Sequence, residues 1–276
     1  MGAGQPGLFA TFTTPLRKHL QRPLPQQHKA PDHRRFMLVA VVTSLALLIN
    51  HYLAINTSLP ELLQTLANFS GQSAQPWLRA LYQSPWRELL AHLWWLTAIM
   101  VGYVLLPALV IRLVFREQLR DYGLGWQHTG THWRYYALLG GVMALLAVLA
   151  SFNSTFLHTY PFYSLAGRSL TDLLLWELLY VVQFFAVEFF FRGFLLRSLE
   201  SRIGIYAIYV SSLVYLTIHL PKPFLECAGS LAFGLILCLL ASLSRSIWGG
   251  VLVHVCLAVS MDLLSLLQRG QLPTSF

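Results

Sequence analysis

Glu188 and Arg192 stand four residues apart in the stretch Glu188-Phe189-Phe190-Phe191-Arg192-Gly193, inside an apolar run long enough to cross a bilayer. On a helix that spacing puts carboxylate and guanidinium on one face, one turn apart. Two later apolar runs carry His219 and His254. A carboxylate and an imidazole together are groups that take a proton from water and hand it to a leaving group. An Asp or Arg at a helix centre costs roughly 2.5–3.5 kcal/mol on insertion scales. A chain that keeps ionisable groups there points to their joint use at an intramembrane polar site. The plainer alternative is an internal Glu188–Arg192 ion pair that only makes two buried charges tolerable.

Helical spacing extends this set. Ser211, Tyr215 and His219 fall at i, i+4, i+8 and form one polar stripe, with Tyr215 placed to orient His219 or to join an aromatic belt. Gly250, His254, Ala258 and Asp262 form another, whose small residues suit close helix packing. Asp262 is about 12 Å beyond His254 at 1.5 Å per residue, so it supports another polar group or sits near the far interface. Glu226, Ser230 and Gly234 form a third stripe, with Glu226 at the membrane boundary. Gly193 is expected to admit a neighbouring helix. Glu188, His219 and His254 would be the ligands of an open zinc site, but no His-Glu-x-x-His occurs. The cofactor expectation is therefore none or zinc.

These residues need helices to hold them. Of 276 residues, 56% are hydrophobic and only 11% charged, against about 25% in soluble domains. That composition predicts an all-α, polytopic transmembrane bundle. Apolar runs over 36–55, 92–114, 133–152, 173–196, 203–220, 224–243 and 247–267 give about seven spans near the ~20 residues each needs. Pro107 suggests a kink in the second, and Pro221 and Pro223 close the fifth. Residues 56–90 read as a long connection with one or two interfacial amphipathic helices.

The net charge of +8 is gathered in short clusters, so it orients the chain and does not indicate nucleic-acid binding. Arg17, Lys18, Arg22, Lys29, Arg34 and Arg35 precede the first span; Arg112, Arg116 and Arg120 follow the second. Arg197 and Arg202 follow the fourth, and Arg245 the sixth. The alternation places the N-terminus in the cytoplasm. Residues 1–35 lack an apolar signal-peptide core, so the first span is expected to remain as an anchor. The three cysteines, Cys227, Cys238 and Cys256, lie in apolar runs and read as core residues.

Taken together, Glu188-Phe-Phe-Phe-Arg192, Tyr215-Leu-Thr-Ile-His219 and His254 resemble the CPBP family of CAAX prenyl endopeptidases and bacteriocin-processing proteins. Its motifs are Glu-Glu-x-x-x-Arg, Phe-x-x-x-His and His-x-x-x-Asn. The Tyr122-Gly123-Leu124 stretch resembles the family's surface loop, and the resemblance covers about 116–265. Val187 replaces the first Glu of the pair, Tyr215 the Phe and Ala258 the Asn. The charge and apolar runs give a basic cytoplasmic tail over 1–35 and N-terminal spans with a long connection over 36–115, and the resemblance implies a CPBP-like catalytic bundle over 116–276.

What it implies chemically is intramembrane hydrolysis of a peptide bond in a membrane-associated protein or peptide. Glu188 and His219 activate water, and His254 stabilises the oxyanion or protonates the leaving amine. Arg192, Tyr215, Glu226 and Asp262 support them. Because the family's water-activating role belongs to the missing first Glu, a non-catalytic relative that binds or helps mature a peptide partner is the alternative. A transporter is disfavoured by the lack of paired repeats. The expected home is a bacterial cytoplasmic membrane.

Overall fold

A computed structural model describes residues 33–54, 58–126, 129–222 and 224–275. The basic tail expected over 1–35 lies, apart from residues 33–35, outside the described residues, as does Pro223. Among the described residues the chain is helical throughout, without strands. We number the helices α1 (His33–Leu53), α2 (Ser58–Phe69), α3 (Gln75–Gln83), α4 (Arg87–Phe115), α5 (Trp133–Ala150), α6 (Ser154–Thr159), α7 (Leu170–Ile203), α8 (Tyr206–Thr217), α9 (Phe224–Ser244) and α10 (Trp248–Gln268).

Six helices are long and apolar enough to cross a membrane, and α8 is a shorter apolar helix. The protein is thus a multi-pass helical membrane protein. Several spans keep wide apolar faces uncovered: Leu145, Leu149 and Phe152 on and just after α5, and Leu174 and Leu178 on α7, are more than half exposed. Such faces suit lipid, which asks nothing of a side chain except that it be apolar.

The fifth expected span, 203–220, is the one that differs. Gly204, at φ +55°, ends α7 after Ile203, and α8 runs only twelve residues before the chain enters turns at Ile218. At 1.5 Å per residue α8 rises about 18 Å, against about 30 Å of hydrocarbon. The long connection contains α2 and α3, with Phe69 and Tyr82 exposed. The expected Pro107 kink lies in a part of α4 where wider π turns cover Val101–Leu105 and Val110–Phe115. Such turns carry i→i+5 bonds in place of the i→i+4 ladder.

Two compact units interleave along the sequence. The first takes in the described residues up to Ala40, then Gln118–Leu138 and Glu188–Gly250; the second takes in Val41–Glu117, Leu139–Val187 and Val251–Phe276. In the first, Phe190, Phe191, Phe194, Leu196, Ala207 and Leu237 are essentially sealed. In the second, the core joins Tyr163, Leu173, Trp176, Tyr180, Ala258 and Leu266, with Phe184 and Trp95 partly buried against it.

Candidate active site

The first unit builds its polar centre where α7 changes pitch. The α-helical run Leu170–Glu188 gives way to a π-helix over Phe189–Leu195, and all seven of its residues are buried. The altered ladder leaves the Phe191 carbonyl to accept a hydrogen bond from Ser211 Oγ on α8, at 2.7 Å. Glu188 Oε1 lies 3.0 Å from Arg192 Nη1, and the two side chains are 1% and 0% exposed. Sealing two charges from water costs several kcal/mol per ion, which their mutual attraction in a dry surround offsets in part.

Arg192 also faces α8. Its guanidinium carbon stands 4.2 Å from the centre of the Tyr215 ring, a close cation–π arrangement. The Tyr215 and His219 rings are 4.6 Å apart, and His219 Nδ1 is 3.3 Å from the Tyr215 carbonyl oxygen. Glu188, Arg192, Tyr215 and His219 therefore form one continuous line across two helices. Tyr215 is 3% exposed and belongs to this line, not to an interfacial aromatic belt.

Three glycines make room for it. At Gly193 an added Cβ would stand 2.7 Å from the Tyr122 carbonyl oxygen. The neighbour expected there was a helix; it is the Gln118–Trp126 segment, whose Gly123 carbonyl also accepts from Ile247 N at 2.9 Å. At Gly234 on α9, a Cβ would stand 2.9 Å from Tyr215 Cδ1. At Gly250 a Cβ would collide with the Glu188 carboxylate itself. Gly250 is thus a seat for the carboxylate, where a plain helix-packing role was expected.

Around the end of α7, Arg197 donates to Glu200 Oε2 at 2.7 Å and to the Ala241 carbonyl, and Glu200 also accepts from Ser242. Glu226 faces Lys222, 3.6 Å away, at the start of α9. Neither Tyr136 nor Gly249 was singled out by the sequence reading. The Gly249-Gly250 pair was the signal available, since two adjacent glycines bare a helix in two neighbouring directions about 100° apart.

In the second unit His254 is 5% exposed and stacks on Phe184, with ring centres 5.1 Å apart and planes 13° from parallel. Asp262 is fully buried and accepts from Trp176 Nε1 at 2.6 Å. Of the two places expected for it, it has taken the first: support of a polar group inside the core. Nearby, Asp172 accepts from Tyr163, Arg168 and Ser169. Glu88 holds Ser164 through both its backbone N–H and its hydroxyl, at 2.6 Å each.

Among the described residues no group of three or more His, Cys, Asp or Glu side chains is set to hold a metal ion. Arg192 already supplies the cation on Glu188 Oε1.

The fold and this line of side chains define a multi-pass helical membrane protein with a sealed acid–guanidinium pair beside a histidine. Residues 168–260 match a family model described as type II CAAX prenyl endopeptidase Rce1-like. That match supports a CPBP family protease and an intramembrane-protease kind of function. It spans all of α7, α8 and α9, and α10 as far as Ser260, and so contains Glu188, Arg192, Tyr215, His219 and His254. No curated protein and no solved structure matches the chain.

Proposed function

We propose that the protein is an intramembrane endopeptidase that hydrolyses a peptide bond of a membrane-associated protein or peptide. The observation that carries this reading is the unbroken Glu188–Arg192–Tyr215–His219 line, lying wholly within the matched segment. Glu188, held by Arg192, takes a proton from water as its oxygen attacks the scissile carbonyl carbon. The carbonyl π bond becomes a tetrahedral oxyanion. His219, steadied by the Tyr215 ring and carbonyl, assists the proton transfer. His254 takes the role the resemblance gives it, stabilising the oxyanion or protonating the departing amine as the C–N bond breaks. Glu226 and Asp262 act as supports, through Lys222 and Trp176.

No step in this scheme passes through a metal. The positive charge gathered before the first span supports an N-terminus in the cytoplasm, and the membrane we propose is a bacterial inner one. Residues 1–35 then form a basic tail, 36–115 the N-terminal spans and 116–276 the catalytic bundle.

A non-catalytic relative that binds a membrane peptide is the second reading. It is favoured by one observation: the single carboxylate left beside Val187 is ion-paired and sealed. Purified protein in liposomes, presented with prenylated and unprenylated membrane peptides, separates the two. Cleavage by wild type that disappears in Glu188→Gln and in His219→Gln is the expected result. Peptide binding by wild type with no cleavage of any substrate would establish the second reading instead. Elemental analysis before and after chelation tests the zinc set Glu188, His219 and His254.

A further inference from the structure

Tyr136, on α5, has no part in the scheme above, yet the first unit places it against the same surface that receives Glu188. It is buried, at 6% exposure. Its ring occupies the space a Cβ at Gly249 would take, just as the Glu188 carboxylate occupies the space of a Cβ at Gly250. Adjacent helix positions point about 100° apart, so ring and carboxylate occupy neighbouring directions on one bare stretch of α10. The hydroxyl of Tyr136 is anchored 3.0 Å from Ser244 Oγ, and Ser244 in turn bonds the backbone of Ser246 in the turn that leads to α10. Glu188 is also within electrostatic reach of Tyr136.

We infer that Tyr136 is a positioning residue for Glu188: its ring, packed against Gly249, is the wall that holds the carboxylate over Gly250. A glutamate side chain turns about three torsions, χ1 to χ3. Arg192 restrains it from its own helix, and without a wall on the other side it would swing into the vacated space. A flat, rigid ring does this better than a flexible side chain of the same volume. The glycine at 249 is what lets the ring come close enough.

The inference rests on the endopeptidase reading for its kinetic test, and on that reading nowhere else. The experiment compares wild type, Tyr136→Phe, Tyr136→Ala, Tyr136→Leu and Gly249→Ala, with Glu188→Gln as reference. Misplacing a reacting group by about 1 Å costs on the order of a hundredfold in rate. Tyr136→Ala, Tyr136→Leu and Gly249→Ala are therefore expected to lose about tenfold to a hundredfold in kcat with little change in KM. Tyr136→Phe, which keeps the wall, restores most of the rate. A loss confined to KM, or a Phe variant as poor as Ala, would overturn the inference.

A second readout needs no turnover: the labelling rate of Glu188 by dicyclohexylcarbodiimide at fixed pH, read by peptide mass spectrometry with Glu188→Gln as blank. Faster labelling in Tyr136→Ala and in Gly249→Ala, but not in Tyr136→Phe, is expected. Equal rates in all folded variants would overturn the wall. Cleavage that survives Glu188→Gln would sink the endopeptidase role of Glu188 and leave the labelling result to judge the wall by itself.

Discussion

Arg192 stands between Glu188 and Tyr215, its Nη1 3.0 Å from the Glu188 carboxylate and its guanidinium carbon 4.2 Å from the centre of the Tyr215 ring. One cation thus serves two helices: it balances the charge on α7 and docks on an aromatic face of α8. Removing it leaves a sealed carboxylate without its counter-charge. Arg192→Leu is expected to lose about 3–5 kcal/mol of stability, whereas Glu188→Leu with Arg192→Leu recovers most of that loss because apolar pairs replace buried ion pairs at little cost. Thermal unfolding in detergent checks both, and the double variant should be stable but inactive.

The Tyr215 ring lies against both Arg192 and His219. Tyr215→Phe keeps that ring and should retain more of the wild-type rate than Tyr215→Ala. Tyr215→Ala loses a cation–π contact of about 0.5–2 kcal/mol and frees His219, and its kcat should fall well below that of the Phe variant. Equal activity of Phe and Ala variants would contradict this assignment.

Gly193 meets a backbone carbonyl, that of Tyr122, which cannot rotate away as a side chain would. Gly193→Ala should cost about 1–3 kcal/mol through overpacking. Deuterium exchange is expected to rise across Gln118–Trp126, and unaltered exchange there would count against the close approach.

Asp262 tests the boundary between support and chemistry. Asp262→Ala leaves the fully buried Trp176 Nε1–H without its acceptor, a loss of about 1–3 kcal/mol. Activity per folded molecule should stay near wild type. A large fall in kcat with unchanged unfolding temperature would move Asp262 into the reaction.

Much of this site was legible before any coordinates. The i, i+4 spacing of Glu188 and Arg192 and of Tyr215 and His219 is enough to set both contacts, because helical periodicity fixes which residues share a face. What periodicity could not supply is the change of pitch at Phe189, since a run of aromatic residues reads alike in α and π geometry. The partner of Gly193 was misjudged for a similar reason. A glycine announces close approach without saying what approaches, and here it is a loop carbonyl. Tyr136 was passed over because an aromatic near a span start has the look of a belt residue. Proline marked the end of the fifth span at residue 221, but the helix itself gives out at Thr217.

That early stop has a consequence for hydration. Tyr215 touches Gly234, which lies about 15 Å along α9 from Phe224, whereas only about 3 Å of α8 remains beyond Tyr215. The chain therefore unwinds roughly 12 Å short of the place where its antiparallel neighbour begins. In the 218–222 turns the amides of His219, Leu220 and Lys222 bond back to the carbonyls of Leu216, Thr217 and His219. Non-helical backbone persists there only when protein encloses it or solvent reaches it. Leu220 is 64% exposed, so the turn is not enclosed. Set in a bilayer, such an open turn calls for water beside the imidazole, the reagent that the proposed hydrolysis consumes.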